Sequence, residues 1–221
     1  MSYTFRFTPV FNRVDQLLDG LAVTLWLSAV VIAAGFLLGV AGALAVRSRQ
    51  AWLRGLVRTY VEAVRNTPLL AQLFFIYFGL PGIGIRLDAV TAGLIALTVN
   101  LGAYTTEIVR GGIDAVPRGQ IDAGIALGLR PVQVFFLVVL KPALKTMFPA
   151  LASQFTLLML ASSIISQIGV TDLFHEGSLI DSATYRSFEV YTVVCGCYLV
   201  LALGFRLVFA LIYRLAFRAP A

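Results

Sequence analysis

"RGQIDAGIALGLRPVQVFFLVVLKPAL", residues Arg118 to Leu144, lies between two long uncharged stretches, and its reading decides the fold. Its start is too polar to lie in lipid, and its one apolar run is too short to cross a bilayer. Pro117 just ahead of it suits the first turn of a helix, where its missing N–H costs nothing and its φ is pre-set. Gly128 suits the position after a helix end, where a positive φ is wanted, and Pro131 follows close behind. The spacing predicts one helix over Pro117–Leu127, a tight Gly-Leu-Arg turn, and a second helix over Pro131–Leu140. On the first, Ile121 and Ile125 share a face, with Asp122 and Ala126 beside it. Ordering such a hairpin costs conformational entropy. It gains most if its second helix packs on the rest of the chain while its turn meets something else. By the physics alone, that something is either a partner or the headgroup layer.

The surroundings of the hairpin are lipid-soluble. Of the 221 residues, 59% are hydrophobic and 13% charged, against about 25% charged in a soluble domain. A span needs about 20 mainly apolar residues. Leu21–Val46, Ala89–Thr106 and Thr146–Thr171 carry no charge, and Val190–Tyr213 carries only Arg206. Leu69–Ile85 is the weakest run and extends backward through a helical Tyr60–Pro68. Five spans are expected, the first too long for a signal-peptide core and read as retained. The fold class is therefore all-α integral membrane, with the hairpin between spans three and four. Residues 1–20 are expected as an external N-terminal segment, 21–216 as one transmembrane domain with the hairpin at about 111–145, and 217–221 as a cytoplasmic tail.

The formal charge of +6 is distributed by side, so it reads as membrane orientation and not as nucleic-acid binding. Arg47, Arg49, Arg54, Arg58 and Arg65 lie between spans one and two. Arg110, Arg118, Arg130, Lys141 and Lys145 lie between spans three and four, and Arg214 and Arg218 follow span five. The other side holds Arg6, Arg13, Arg86 and Arg186. Basic residues near span ends stay cytoplasmic, which puts the N-terminus outside and the C-terminus and hairpin inside.

Within the spans, Gly35, Gly39 and Gly42 read as a face for close helix approach. Pro68 should kink or restart span two, with Asn66 and Thr67 placed to serve the freed carbonyls. Glu62 and Arg65 stand i,i+3 and can pair, as can Glu107 and Arg110. Asn100 and Tyr104 share a face of span three. Ser162, Ser163, Ser166 and Gln167 form a polar stripe on span four. Such groups face the bundle or a water-filled cavity, so they either bond between helices or line a solute path. Phe74, Phe75, Tyr77 and Phe78 read as lipid and helix packing. Cys195 and Cys197 read as small core residues, not a disulfide or metal site. His175 reads as a solvated loop residue in the external stretch Asp172 to Glu189.

Gly119-Gln120-Ile121-Asp122-Ala123-Gly124, followed by Gly128 and Pro142, resembles the EAA loop of permease subunits of ABC importers. "VEAVRNTPLLAQLFFIYFGLP", "GAYTTEIVRGGIDAVPRGQ" and "SSIISQIGVTDL" are similar to segments of its polar amino acid uptake branch, the histidine/glutamate/glutamine group. The resemblance runs from about Thr59 to Leu173. It departs from the family pattern in Asp122 for the usual Glu, Gly124 for the second Ala, and Leu140-Lys141-Pro142 for Leu-Pro. Met159-Leu160-Ala161 stands where the family carries a charged pair.

The resemblance implies a five-span inner-membrane permease of bacteria whose hairpin couples to two cytoplasmic ABC ATPase subunits. Gly119, Gln120, Asp122, Ala123, Gly128 and Pro142 would form the coupling surface. A second permease subunit, identical or homologous, and an external amino-acid-binding protein would complete the importer. ATP and Mg would sit in the ATPase, with no cofactor on this chain. Asn100, Tyr104, Ser162 and Ser163 are candidates for the substrate path. The chain has no G-x-x-x-x-G-K-[ST] phosphate loop, no nucleophile–base set and no metal-ligand cluster, so no catalytic residue is assigned. A stand-alone secondary transporter or channel is the rival class, disfavoured by the absence of carboxylates deep in the spans and of an apparent inverted repeat.

Overall fold

In the computed structural model, residues 4–217 are described; of the expected tail at 217–221, Phe217 ends the last helix and 218–221, with Arg218, lie outside them. Every regular element among these is helical: α1 (Thr8–Phe11), α2 (Val14–Val46), α3 (Ala51–Arg65), α4 (Leu69–Ile83), α5 (Ala89–Asp114), α6 (Arg118–Ala126), α7 (Pro131–Ile168), α8 (Leu173–Thr184) and α9 (Ser187–Phe217). Four of these, α2, α5, α7 and α9, are long and apolar enough to cross a membrane. The weakest expected span is α4, a shorter apolar helix.

The centre of the bundle is the pairing of α2 with α5, the most extensive contact between any two elements. In lipid there is no hydrophobic drive between helices, so close approach of small residues supplies the attraction. A Cβ at Gly35 would lie 2.8 Å from Leu101, and one at Gly39 or Gly42 would collide with Thr105 or Thr106. The expected glycine face is therefore real, and it grips α5. Around this seam Leu27, Val31, Leu97 and Leu101 join Leu151, Phe155 and Ile165 of α7 in one core.

Pro68 divides span two as expected. α3 ends at Arg65, Pro68 is extended (ψ 136°) and α4 restarts behind it. The freed carbonyls are served locally. Asn66 Nδ2 donates to the Glu62 carbonyl (2.8 Å) and Thr67 Oγ1 to that of Ala63 (2.8 Å). Gln72 Nε2 adds bonds to the carbonyls of Val64 (2.7 Å) and Thr67 (3.1 Å). α4 then loosens into a wide π turn at Phe75–Gly79 before tightening at Leu80–Ile83. Phe75 and Phe78 are exposed on it, as the lipid-packing reading requires.

Several expectations are corrected. The hairpin's second arm is not a separate helix: it continues into span four as the 38-residue α7. Apolar positions run on through Val134, Val139 and Ala143, and Pro142, three residues into an α segment that follows a π turn, does not interrupt it. Glu62 and Arg65 form no ion pair; Arg65 turns to Glu107 instead (3.9 Å). Cys195 is exposed and only Cys197 packs against a core cluster, since α9 leaves most of its surface uncovered. The stretch after Asp172 is the ordered helix α8, and His175 sits half-buried in its first turn.

At the end of the bundle away from the hairpin, Val10 and Leu17 pack with Leu173, Ile180, Val190 and Val194. Asp172 is fully buried there. Its Oδ1 accepts the His175 amide (2.9 Å), capping α8, and its Oδ2 accepts the Tyr198 hydroxyl (3.4 Å). Burial pushes its carboxyl up to about 6. Thr24 Oγ1 accepts the Leu173 amide (3.1 Å), tying α8 to α2. Buried Glu189 accepts the Arg6 amide (2.9 Å), holding the N-terminal segment on α9.

Candidate functional site

The turn of the hairpin is built by local chemistry. Pro117, extended at ψ 132°, is the N-cap of α6, which therefore begins at Arg118, one residue after the expected start. At the other end Gly128 has φ +74°, a value that costs a residue with a Cβ but not glycine. The Gly128 amide bonds the Ile125 carbonyl (2.9 Å) and the Leu129 amide bonds the Gly124 carbonyl (3.2 Å). This 5→2 and 6→1 pair is a Schellman cap. Arg130 then opens α7, its amide bonded to Gln133 Oε1 (2.8 Å), with Pro131 in the first turn. Behind the turn, Ile121 and Leu129 pack on Val116, Val134 and Val139.

This framework presents its outer face to solvent. Gly119, Gln120, Asp122, Ala123 and Gly128 are all exposed, and Gly124 is the buried contact of α6 with α7. Pro142 stands apart, half-buried on α7 well past the turn. Apolar side chains project beside the polar ones: Leu127 is 81% exposed, with Ile125 and Val132 also open. A groove of about 250 Å³ runs between Arg47, Ile121, Ile125, Pro131 and Phe135. An exposed apolar patch with a polar rim is the mark of an interaction surface.

The base of the hairpin is tied down electrostatically. Arg47, capping α2, reaches Asp114 at the end of α5 (2.7 Å). Arg110 bonds both Asp114 (2.9 Å) and Glu107 (2.7 Å), as the i,i+3 spacing predicts for the latter. Glu107 also receives Arg65 from α3 at 3.9 Å. The chain of charges thus links three helices at the hairpin end.

The four candidate path residues are not gathered in one place. Tyr104 lines a cavity of about 580 Å³ together with Arg58, Glu62, Arg65, Glu107 and Arg110, and the Arg65 guanidinium lies 5.3 Å from its ring centroid. Asn100, one turn away, is not in that cavity; its Nδ2 donates to Gln72 Oε1 (3.1 Å). Ser162 and Ser163 donate to carbonyls of their own helix, Met159 (2.7 Å) and Leu160 (2.9 Å). Gln72 is the polar residue the sequence left without a role. It sits four positions, one turn, after Pro68 and reaches back to the Val64 carbonyl that the proline frees, and that spacing is the signal that finds it.

Against known proteins, residues 32–218 match the family "Binding-protein-dependent transport system inner membrane component". The chain belongs to that family. It is a membrane-spanning permease subunit and not the subunit that hydrolyses ATP, in line with the resemblance its motifs carry. It is 38% identical over 194 residues (88% of this chain, 90% of the relative) to a probable glutamine ABC transporter permease protein, GlnM, of Bacillus subtilis strain 168. It is 32% identical over 202 residues (90% and 92%) to the glutamine transport system permease protein GlnP of Escherichia coli K12. Among solved structures, a chain from an amino acid ABC transporter with histidines superposes at TM-score 0.91 with 36% identity, covering 96% of this chain and 99% of that one. The inward-facing MetNI methionine ABC transporter matches in fold at TM-score 0.76 with 22% identity.

Proposed function

We propose that this chain forms half of the passage in an ATP-driven importer of a polar amino acid, with glutamine the first cargo to test, given what its relatives carry. Two permease subunits, identical or homologous, enclose the path. An external binding protein delivers the solute, and two ATPase subunits hold ATP and Mg. The N-terminus faces outside and the hairpin the cytoplasm, as the arginine distribution favours. The observation that carries the reading is the α6 turn: a Schellman-capped, rigidly backed hairpin whose Asp122, Ala123 and Gly128 are exposed beside uncovered Leu127.

That turn serves as the contact by which ATPase closure moves the spans. Coupling of this kind needs a two-state element biased from both sides. α7 supplies it, because it runs unbroken from Pro131, at the exit of the turn, through span four. Asn100, Tyr104, Ser162 and Ser163 face the solute path, Tyr104 at its hairpin-end cavity.

The test is uptake in proteoliposomes containing the full complex. Asp122→Lys and Gly128→Pro abolish ATP-driven uptake while insertion and permease pairing persist. Uptake that survives both changes overturns the coupling role. Cysteine labelling that finds all four path positions facing lipid removes their assignment.

A further inference from the structure

Arg206 is the one charge inside the long apolar stretch of α9, eight positions before Arg214, or about 12 Å along the helix. Among the described residues it has no hydrogen bond, ion pair or ring contact, and it is exposed. A guanidinium at membrane depth is costly without an anion or water. It lines a groove of about 570 Å³ between α7 and α9, walled by Phe148, Ser153 and Thr156 on one side and Phe209 and Tyr213 on the other. Arg206, Phe209 and Tyr213 share one face of α9 at i, i+3 and i+7.

We infer that this groove binds an anionic phospholipid, its phosphate on Arg206 and an acyl chain along the aromatic wall. The hydroxyls of Ser153 and Tyr213 line the same groove and bond nowhere else among the described residues, so they are further donors to a bound headgroup. Lys145 and Arg214 are exposed toward the hairpin end of the same two helices and extend the positive field to the surface. Arginine bends its head toward the headgroup layer along its apolar stem, which brings a lipid phosphate within reach. The side chains flanking the groove, Leu157, Leu203 and Leu207, are apolar and open.

The charge inventory favours a lipid over a second copy of the chain. None of the 11 acidic residues lies within the apolar stretch around Arg206. At the hairpin end, Glu107 and Asp114 already hold arginines of their own chain. The carboxylate on α3 without an ion pair among the described residues, Glu62, faces a cavity it shares with Arg58, Arg65 and Arg110, whereas the headgroup layer supplies phosphate in excess.

The experiment uses the full-length chain, delipidated in mild detergent and offered phosphatidylglycerol and phosphatidylcholine with identical acyl chains, with bound lipid counted by native mass spectrometry. The wild type retains phosphatidylglycerol in preference. Arg206→Leu lowers that retention about fivefold, the scale of one basic contact at a lipid surface, and Arg206→Lys keeps most of it. If Arg206→Leu fails to insert, Arg206→Gln gives the same reading by removing only the charge. Unchanged phosphatidylglycerol retention on loss of the charge overturns the proposal. So does a loss of subunit pairing in Arg206→Leu with lipid retention intact, which would assign the guanidinium to the other subunit.

Discussion

Arg47 Nη1 lies 2.7 Å from Asp114 Oδ1, joining the C-cap of one apolar helix to the last turn of another 67 positions on. Both side chains are nearly half exposed, so the bond is screened and its worth is about 0.2–1 kcal/mol. Asp114→Asn weakens this contact and the one to Arg110 together. The expected loss of stability is within that range and shrinks in high salt. A thermal melt of the purified chain at two ionic strengths checks it, and a larger, salt-independent loss would mean that Asp114 has a buried role.

Gln72→Leu has a greater effect. Its amide supports two backbone carbonyls beside the proline break and accepts Asn100 from α5. Leaving such groups unpaired away from water costs about 1–3 kcal/mol. Hydrogen exchange should rise at residues 64–72 in the variant and stay unchanged in α9. An unaltered exchange profile would show that water replaces the amide.

The seam between α2 and α5 tolerates nothing larger than hydrogen at Gly39. Gly39→Ala forces a methyl into the Thr105 side chain, an overpacking cost of about 1–3 kcal/mol. The variant should show a lower melting temperature and poorer recovery after purification. A melt indistinguishable from wild type would contradict the packing described.

Gly124 behaves in the opposite way. A methyl there meets Val134 and Val138 at 3.4 Å, ordinary contact distance, in a helix with no positive φ at that residue. Gly124→Ala should stabilise the hairpin by about 0.5–1 kcal/mol through lower chain entropy. Reduced protease cutting within residues 118–130 is the expected readout, and faster cutting would refute it.

Asp172 gives a pH dependence of definite sign. Its folded carboxyl titrates at about 6, above the ordinary 3.8, because burial disfavours the charge. A raised pKa means stability that is complete below pH about 4 and lost as pH climbs through 6. Asp172→Asn keeps an acceptor for the His175 amide but cannot ionise. The wild-type melting temperature should fall between pH 5 and 7 more steeply than that of Asp172→Asn. Parallel profiles would place the titration elsewhere.

Much of this architecture is legible in the sequence, because lipid enforces simple rules. Long uncharged runs, glycines at helical spacing and a proline flanked by Asn66 and Thr67 each have one inexpensive solution in a bilayer. The Gly128 turn is readable for the same reason, since a positive φ in a short connection calls for glycine. Contacts that depend on two distant helices were harder to see. Nothing local to Arg65 says that it abandons Glu62 for Glu107, or that Gln72 answers Asn100. The second arm of the hairpin reads as a separate helix because Pro131 and Pro142 look like boundaries. A wide turn between them lets one helix pass through both.

α7 runs from Pro131, just past the hairpin turn, to the polar stripe at Ser162 on one 38-residue rod, so under the proposed docking it would work as a crank ~57 Å long. A tilt of a few degrees at its handle sweeps the far tip by several ångströms, and the two stretches of altered pitch along it, Val134–Val139 and Ser162–Ile168, are where the shaft would flex first under load.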